Sequence, residues 1–309
     1  MKKFFACLII ILATSCEQDI IIDIPPQPVK LVVNGIVRTT TPFRVTIGKT
    51  AGVLDTISVS RNRVTDAIVQ LYENNILKDT LVYEASSGSY VVKRNTRALS
   101  GNVYLLKASA PGFTNVEAET RTPNATPIQS ISRRMNVRKD ASGNSLDELK
   151  ITFTDEASPG NHYFFRIRNY RYGGVGVGNP VTYGGIECMR SSDRDIEGRS
   201  NGDPIEFETC IDGEFFMRDF NFNGKTKEVI LFIDHNALEP VVIPSINRNY
   251  KPIVELHSIT ADQYKYRNSL NAYRDAEDNP FAEPVLVYGN IKNGYGIFVT
   301  YDLARDTIR

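Results

Sequence analysis

The chain of 309 residues has no tryptophan, three histidines and four cysteines, and its 36 Lys+Arg cancel against 36 Asp+Glu. Each shortage excludes something. Without tryptophan, a sugar-stacking platform must be built from the 15 tyrosines and 15 phenylalanines. Balanced charge rules out a nucleic-acid binder led by a basic surface. His162, His235 and His257 are far apart in sequence, too sparse for a His-rich metal site. No apolar run reaches the roughly 20 residues that a spanning helix needs. There is no Gly-x-Ser-x-Gly elbow and no His-Glu-x-x-His. What remains is a 41% apolar, 10% aromatic chain, too rich in core formers to be disordered. Its length suits two domains or one large β-domain.

The one apolar run opens the chain. Lys2 and Lys3 precede Phe4–Ala13, and the run ends Leu12-Ala13-Thr14-Ser15-Cys16. Ten apolar residues behind a positive start fit a secretory signal peptide. Small residues before a cysteine resemble a bacterial lipobox, with Cys16 taking the lipid. Residues 1–15 are thus expected to leave. The mature chain would start at Cys16 and, without Lys2 and Lys3, carry a net charge of −2. Residues 16–28 form an acidic, Pro-rich tether, with Pro25, Pro26 and Pro28 favouring a stiff extended segment. Glu17 and Asp19 behind the lipid site resemble the export tag that sends some Bacteroidota lipoproteins to the outer face of the outer membrane. Surface exposure is the favoured expectation, and the periplasmic face is the alternative.

Cysteine arithmetic agrees with export. Cys7 departs with the signal and Cys16 is acylated, leaving Cys188 and Cys210 as an even pair. A disulfide between them is expected, and two free buried thiols are the alternative. Two isolated cysteines do not make a tetrahedral metal site.

Residues 29–122 read as many short strands with frequent turn signals, which predicts a β-sandwich of transthyretin or immunoglobulin type. Strands are expected near residues 29–37 (interrupted at Asn34-Gly35), 43–47, 66–72, 76–83, 88–92, 103–108 and 116–120. Asn74-Asn75 is expected to turn a hairpin. Tyr72, Tyr90 and Tyr104 are expected to pack rather than to bind. Residues 123–309 read as a larger β-rich domain. Its strands are expected near 149–153, 162–172, 215–222, 228–234, 241–243, 253–259, 285–288 and 296–301. The Asn223-Gly224 pair predicts a hairpin between 215–222 and 228–234. One helix is expected over 260–275, capped by Thr260 with Gln263 three residues on. Its packing face would be Tyr266, Leu270 and Tyr273, with Arg267 and Arg274 solvated.

Several segments mimic functional motifs. Gly174-Val175-Gly176-Val177-Gly178 lacks the following helix that a phosphate site needs, so it reads as a loop. Asp219–Gly224 and Asp193–Gly198 begin like calcium loops, but their twelfth positions are Ile230 and Pro204 instead of a bidentate Glu. Asp147-Glu148 and Asp155-Glu156 are adjacent carboxylates and are expected to be solvated loop charges. No catalytic set, metal site or cofactor site is expected, and the chain is read as a non-enzyme.

The stretch Asn279-Pro280-Phe281-Ala282-Glu283-Pro284, then Val287 to Phe298, is the most specific motif. With Cys16, Asp23-Ile24-Pro25, Leu31–Gly35, Asp66–Glu73, Asn161–Arg166 and Asp219–Thr226, it resembles the Bacteroidota outer-membrane lipoprotein family catalogued as domain of unknown function 4249. The resemblance spans nearly the whole mature chain, with Gly289 where that family often has Ser. It implies no activity. It does imply a lipoprotein that partners a TonB-dependent receptor in nutrient capture, with an unknown small-molecule or glycan ligand. The alternative is a structural or adhesive surface module. Asn279, Pro280, Phe281, Pro284, Asn290, Asn293, Gly294 and Phe298 are expected to be structural, with Phe281 and Phe298 anchoring the segment in the core.

The lipid reading makes the first prediction. Several acyl chains, at about 0.8 kcal/mol per buried methylene, hold Cys16 firmly in a bilayer. Cys16→Ala is expected to move the protein from the membrane to the soluble fraction, followed by immunoblotting; complete retention in membranes refutes acylation.

Overall fold

The computed structural model describes residues 28–52, 62–172, 182–186, 188–197, 210, 211, 213–243, 248–277 and 281–308. Cys16, the signal and tether expectations, the Gly174–Gly178 segment, and Asn279-Pro280 lie outside the described residues. Among the described residues the protein is mainly β, with one large sheet, a second four-stranded sheet and one α-helix. The first part holds β1 (Leu31–Arg38), β2 (Arg44–Lys49), β3 (Ile68–Glu73), β4 (Ile76–Glu84), β5 (Ser89–Val91), β6 (Val103–Ser109) and β7 (Val116–Arg121). These match the expected strands. Asn74 and Asn75 take positive φ at the β3–β4 turn, as a tight hairpin needs. Asn34-Gly35 does not interrupt β1. Gly35 sits within the strand facing the core, where a Cβ would come within 2.6 Å of Val45 and 3.1 Å of the Phe298 ring.

The second part adds β8 (Ile128–Lys139), β9 (Ser145–Thr154), β10 (His162–Tyr172), β11 (Thr182–Gly185), β12 (Met189–Arg190), β13 (Ile196–Glu197), β14 (Glu214–Arg218), β15 (Thr226–Asp234), β16 (Val241–Ile243), β17 (Arg248–Ile259), α1 (Ala261–Glu277) and β18 (Tyr295–Thr307). β12, β15, β9 and β8 form a four-stranded sheet. Its inner residues, including Leu149, Ile151, Phe153, Val229 and Leu231, share one core with Tyr163, Phe165, Met217, Val254 and Leu256 from the large sheet. β8 was not legible in the sequence because its apolar residues Ile128, Ile131, Met135 and Val137 do not alternate regularly and two irregularities break its register. No strand forms over 285–288.

The hairpin expected at Asn223-Gly224 is corrected. β14 pairs with β10 and β13, whereas β15 pairs with β9 and β12, so residues 219–225 cross from one sheet to the other. Asp219 drives the crossing. It is buried, and its carboxylate accepts the N–H groups of Gly160 and Asn161, both at 2.9 Å. Cys188 and Cys210 are bridged, with Cα atoms 5.1 Å apart, within the range a disulfide spans.

The large sheet runs β13-β14-β10-β17-β18-β1-β2-β5-β4-β3-β6-β7, so both parts belong to it. The link is β18. Its first half pairs parallel with β1, from Val32–Tyr295 to Arg38–Tyr301. Its second half pairs antiparallel with β17, from Ser258–Asp302 to Ile253–Thr307. The first part then curls until β7 returns to β18, where the Thr122 and Thr300 hydroxyls meet at 2.8 Å and Lys292 N–H donates to Glu117 O at 2.8 Å. Ile291 and Phe298 therefore lie in the first core, with Leu31, Phe43, Leu71 and Tyr104. A chain-order boundary near residue 122 does not separate the two cores, because the last strand serves both.

Gly296 sets the closeness of that junction. Its φ is +99°, and a Cβ there would lie 2.0 Å from Val33 O. Gly296→Ala is expected to lower the urea midpoint by an amount worth at least about 3 kcal/mol, on the scale of severe backbone clashes. Gly185→Ala, whose Cβ would meet only Ile167 O at 3.6 Å, serves as the comparison and is expected to change it little.

Candidate functional site

The motif that dominated the sequence is a clamp. The Asn290 side chain imitates a strand partner: its Nδ2 donates to Phe298 O and its Oδ1 accepts Phe298 N–H, both at 2.9 Å. Asn290 Nδ2 also donates to Asp262 at 3.1 Å, and the Tyr288 hydroxyl donates to the other oxygen of Asp262 at 2.6 Å. Tyr288 N–H donates to Ser269 Oγ. Residues 288–290 thus tie the first turns of α1 to β18. Asn293 takes positive φ in the turn before β18, and a Cβ on Gly294 would strike Leu31 O at 2.7 Å. Phe298 is fully buried. The expectation that Phe281 also anchors in the core is corrected: it is 94% exposed, and Pro284 is exposed too. The segment is held at Tyr288 and Asn290, and residues 281–287 lie outside both cores.

Thr260 caps α1 as expected, accepting Gln263 N–H at 3.1 Å. The packing face differs from expectation. Gln263, Tyr264 and Arg267 face the sheet, while Tyr273 is exposed. The reason is the sheet surface beneath, which offers Phe164, Phe216 and Ile259 with Tyr264 packed against them. Arg267 leaves solvent because Phe164 gives it a ring face at 4.4 Å and Glu214 a counter-ion at 3.5 Å.

Beside the helix runs a ladder of charges across four strands. Glu214 is opposite Arg166, Arg166 opposite Glu255, and Glu255 opposite Arg305. Glu255 is fully buried and is bonded by Arg166, Tyr170, His257 and Arg305, the last at 2.8 Å. Burial alone would raise its pKa, but hydrogen bonds from His257 and Tyr170 and the Arg166 charge hold it well below the usual carboxylate range. Burial, aided by the Arg166 charge, pulls His257 down to about 4 despite its bond to Glu255. Arg166 and Arg305 both pair with Glu255 and Glu214 pairs with Arg267 on α1, so the ladder binds the strands and the helix together.

The other carboxylates behave alike. The expectation that Asp147 and Asp155 are solvated is corrected, since both are buried. Asp147 accepts from Arg133, from His235 and from Asn136 N–H at 2.7 Å. Asp155 accepts from Tyr163, Asn161 and Gly224 N–H. Asp193 and Asp195 share Lys227, at 2.9 and 2.5 Å. Among the described residues, no group of three or more His, Cys, Asp or Glu is placed to hold a metal ion. Tyr90 and Tyr104 are buried as expected, with their hydroxyls bonded to Val64 O and Glu73.

Several concavities open to solvent among the described residues. A groove of about 640 Å³ lies where β1 and β5 end and β2 begins, lined by Ile36, Val92, Arg44, Glu84, Asn95 and Arg97 among others. Arg44 and Glu84 are paired at 3.3 Å. Its mixed, largely polar lining is open enough to admit a small ligand. A smaller polar cleft of about 240 Å³ lies at the junction, lined by Arg121, Asn124, Thr126, Glu156, His162 and Ser258. Asn124 bridges both Glu156 oxygens across it. His162 Nδ1 faces Gly160 O at 2.8 Å, which fixes its proton there and leaves Nε2 as an acceptor. Neither concavity was legible in the sequence. Arg44 and Arg97 are single residues 53 positions apart, and no local spacing marks them.

The ladder predicts an acid response in two stages. His257, ordinarily near 6.5, stays neutral when folded, so its contribution falls as the pH drops from 6.5 towards 4. Glu255 contributes fully above its ordinary 4.5 and loses that contribution below it. Thermal melting against pH is expected to steepen below about 4.5. His257→Asn is expected to shallow the slope between 6.5 and 4 while leaving the steeper limb; an unchanged upper slope refutes the assignment.

The chain matches the family described as Domain of unknown function (DUF4249) over residues 17–307. No curated protein matches it. Among solved structures it is similar to a Parabacteroides merdae β-glucuronidase with glycerol in its active site, at 10% identity and a TM-score of 0.21. That alignment covers 75% of this chain and 23% of the glucuronidase chain, so it spans about a quarter of that protein and carries no argument about fold or activity. The family match takes in both cores, the clamp at Asn290 and the shared strand β18, and on it the protein belongs to the DUF4249 family.

Proposed function

We propose that the protein is a lipid-anchored binding protein of the outer membrane that assists a TonB-dependent receptor in nutrient capture, without catalysing a reaction. The observation that carries the binding half is the groove at Arg44 and Arg97. It is built on strands of the first core, so it needs no closure to form. Its size and mixed lining fit a small polar or amphiphilic nutrient. The lipobox at Cys16 and the tether after it support the anchored half, with the outer face favoured. The structural or adhesive alternative has its own support in β8, a 12-residue edge strand that exposes Met135 and Val137 and suits strand-to-strand contact with another protein.

The test uses the native lipoprotein solubilised from its own membranes. A TonB-dependent receptor is expected to co-purify, and deletion is expected to slow growth on the nutrient that receptor imports. Arg97→Glu is expected to slow growth as deletion does while the receptor still co-purifies. Recovery of no receptor together with unchanged growth refutes the accessory role, and Arg97→Glu without effect refutes the groove.

A further inference from the structure

The fold has two poles, and the tether leaves from one of them. β1 runs beside β18 from Val32–Tyr295 to Arg38–Tyr301, and the second core begins just past the latter end, at Ser258–Asp302. Pro28–Lys30 lie off the other end. Lys30 and Thr50 exchange hydrogen bonds there at 2.9 and 3.0 Å, which places the end of β2 alongside. Asn293 donates to Asn115 O, which adds the β6–β7 turn, and Ile68 opposite Ser109 adds the start of β3.

This pole exposes apolar and basic groups together. Val29 is 55%, Ile68 60% and Tyr295 52% exposed. Lys30 Nζ lies 5.3 Å from the centre of the Tyr295 ring. Lys49 is exposed at the end of β2, Lys292 pairs with Glu117 at 3.1 Å, and Lys107 turns its ammonium towards the Tyr72 ring at 5.5 Å, with Asp66 beside Ile68 among the described residues. Exposed tyrosine beside lysine is the chemistry of a membrane interface, where the ring sits at headgroup level and the ammonium reaches phosphate. The twelve residues from Glu17 to Pro28 can reach at most about 40 Å. The length of β18 alone, 13 residues, is of the same order, so the far pole is the end that the tether holds away.

We propose that this pole rests on the bilayer that holds the acylated Cys16, with Tyr295, Val29 and Ile68 at the headgroup level and Lys30 and Lys49 on lipid phosphate. The inference rests on the anchoring stated under Proposed function. It turns the second core, and β16 with it, away from the membrane.

The absence of tryptophan provides the test. Tyr295→Trp and, separately, Val242→Trp each give the full acylated chain a single tryptophan; Val242 pairs with Asn249 at the far pole and is exposed. Each protein is reconstituted by its lipid into vesicles of phosphatidylcholine and phosphatidylglycerol, with and without brominated acyl chains. Bromine is expected to quench the tryptophan at 295 several-fold more than the one at 242. Val29→Ser with Ile68→Ser is expected to reduce that quenching without releasing the protein. Flotation with the vesicles and equal quenching at the two positions overturns the proposal and leaves the anchor standing. Failure to float, with no acyl mass on Cys16, overturns both.

Discussion

The parallel pairing of β1 with the first half of β18 is the constraint on which the rest depends. It joins strands more than 250 residues apart in sequence and closes the first core with Phe298. Because β18 then continues into pairing with β17, it carries the second core on the same piece of backbone. Three glycines allow this approach. Gly35 makes room for the Phe298 ring, Gly294 passes Leu31 O, and Gly296 passes Val33 O in a conformation other residues avoid. Such long-range pairing costs loop-closure entropy before it returns contact energy, so the C-terminal strand is the natural last piece of the fold.

Around that strand, buried charge is used for cohesion. Glu255, Asp147 and Asp155 are all sealed from solvent and all saturated with donors. A buried carboxylate with one missing partner would cost several kcal/mol, so each such cluster specifies its neighbours strictly. Arg166 meets Glu255 from one neighbouring strand and Arg305 meets it from the other. The same logic explains α1. A helix with an arginine and a glutamine on its packing face would be poorly placed on an aliphatic sheet, and here the sheet supplies Phe164 and Glu214 instead.

The proposed function follows from this rigidity. On that proposal, a groove on a closed β-core would present a fixed surface to a partner. Preformed sites bind without an ordering cost. The clamp at Asn290 and Tyr288 belongs to the scaffold, so the most specific sequence motif of the family marks where the fold is locked.

Local chemistry was legible in the residues. Alternation gave most strands, Asn74-Asn75 gave its hairpin, Thr260 gave the helix cap, and the paired cysteines gave the disulfide. These depend on neighbours a few positions apart. Asn223-Gly224 misled because its turn chemistry is real while the strands on either side prefer partners in different sheets. Phe281 misled because apolarity says nothing about where a tether point such as Tyr288 will hold a segment. β8 stayed hidden because its apolar residues do not alternate regularly. Sequence alone determined the β-class, the export signature and the family resemblance. Only the tertiary structure decided that one strand serves two cores, which carboxylates are buried, and where the groove opens, because each of these is settled by contacts between residues far apart along the chain.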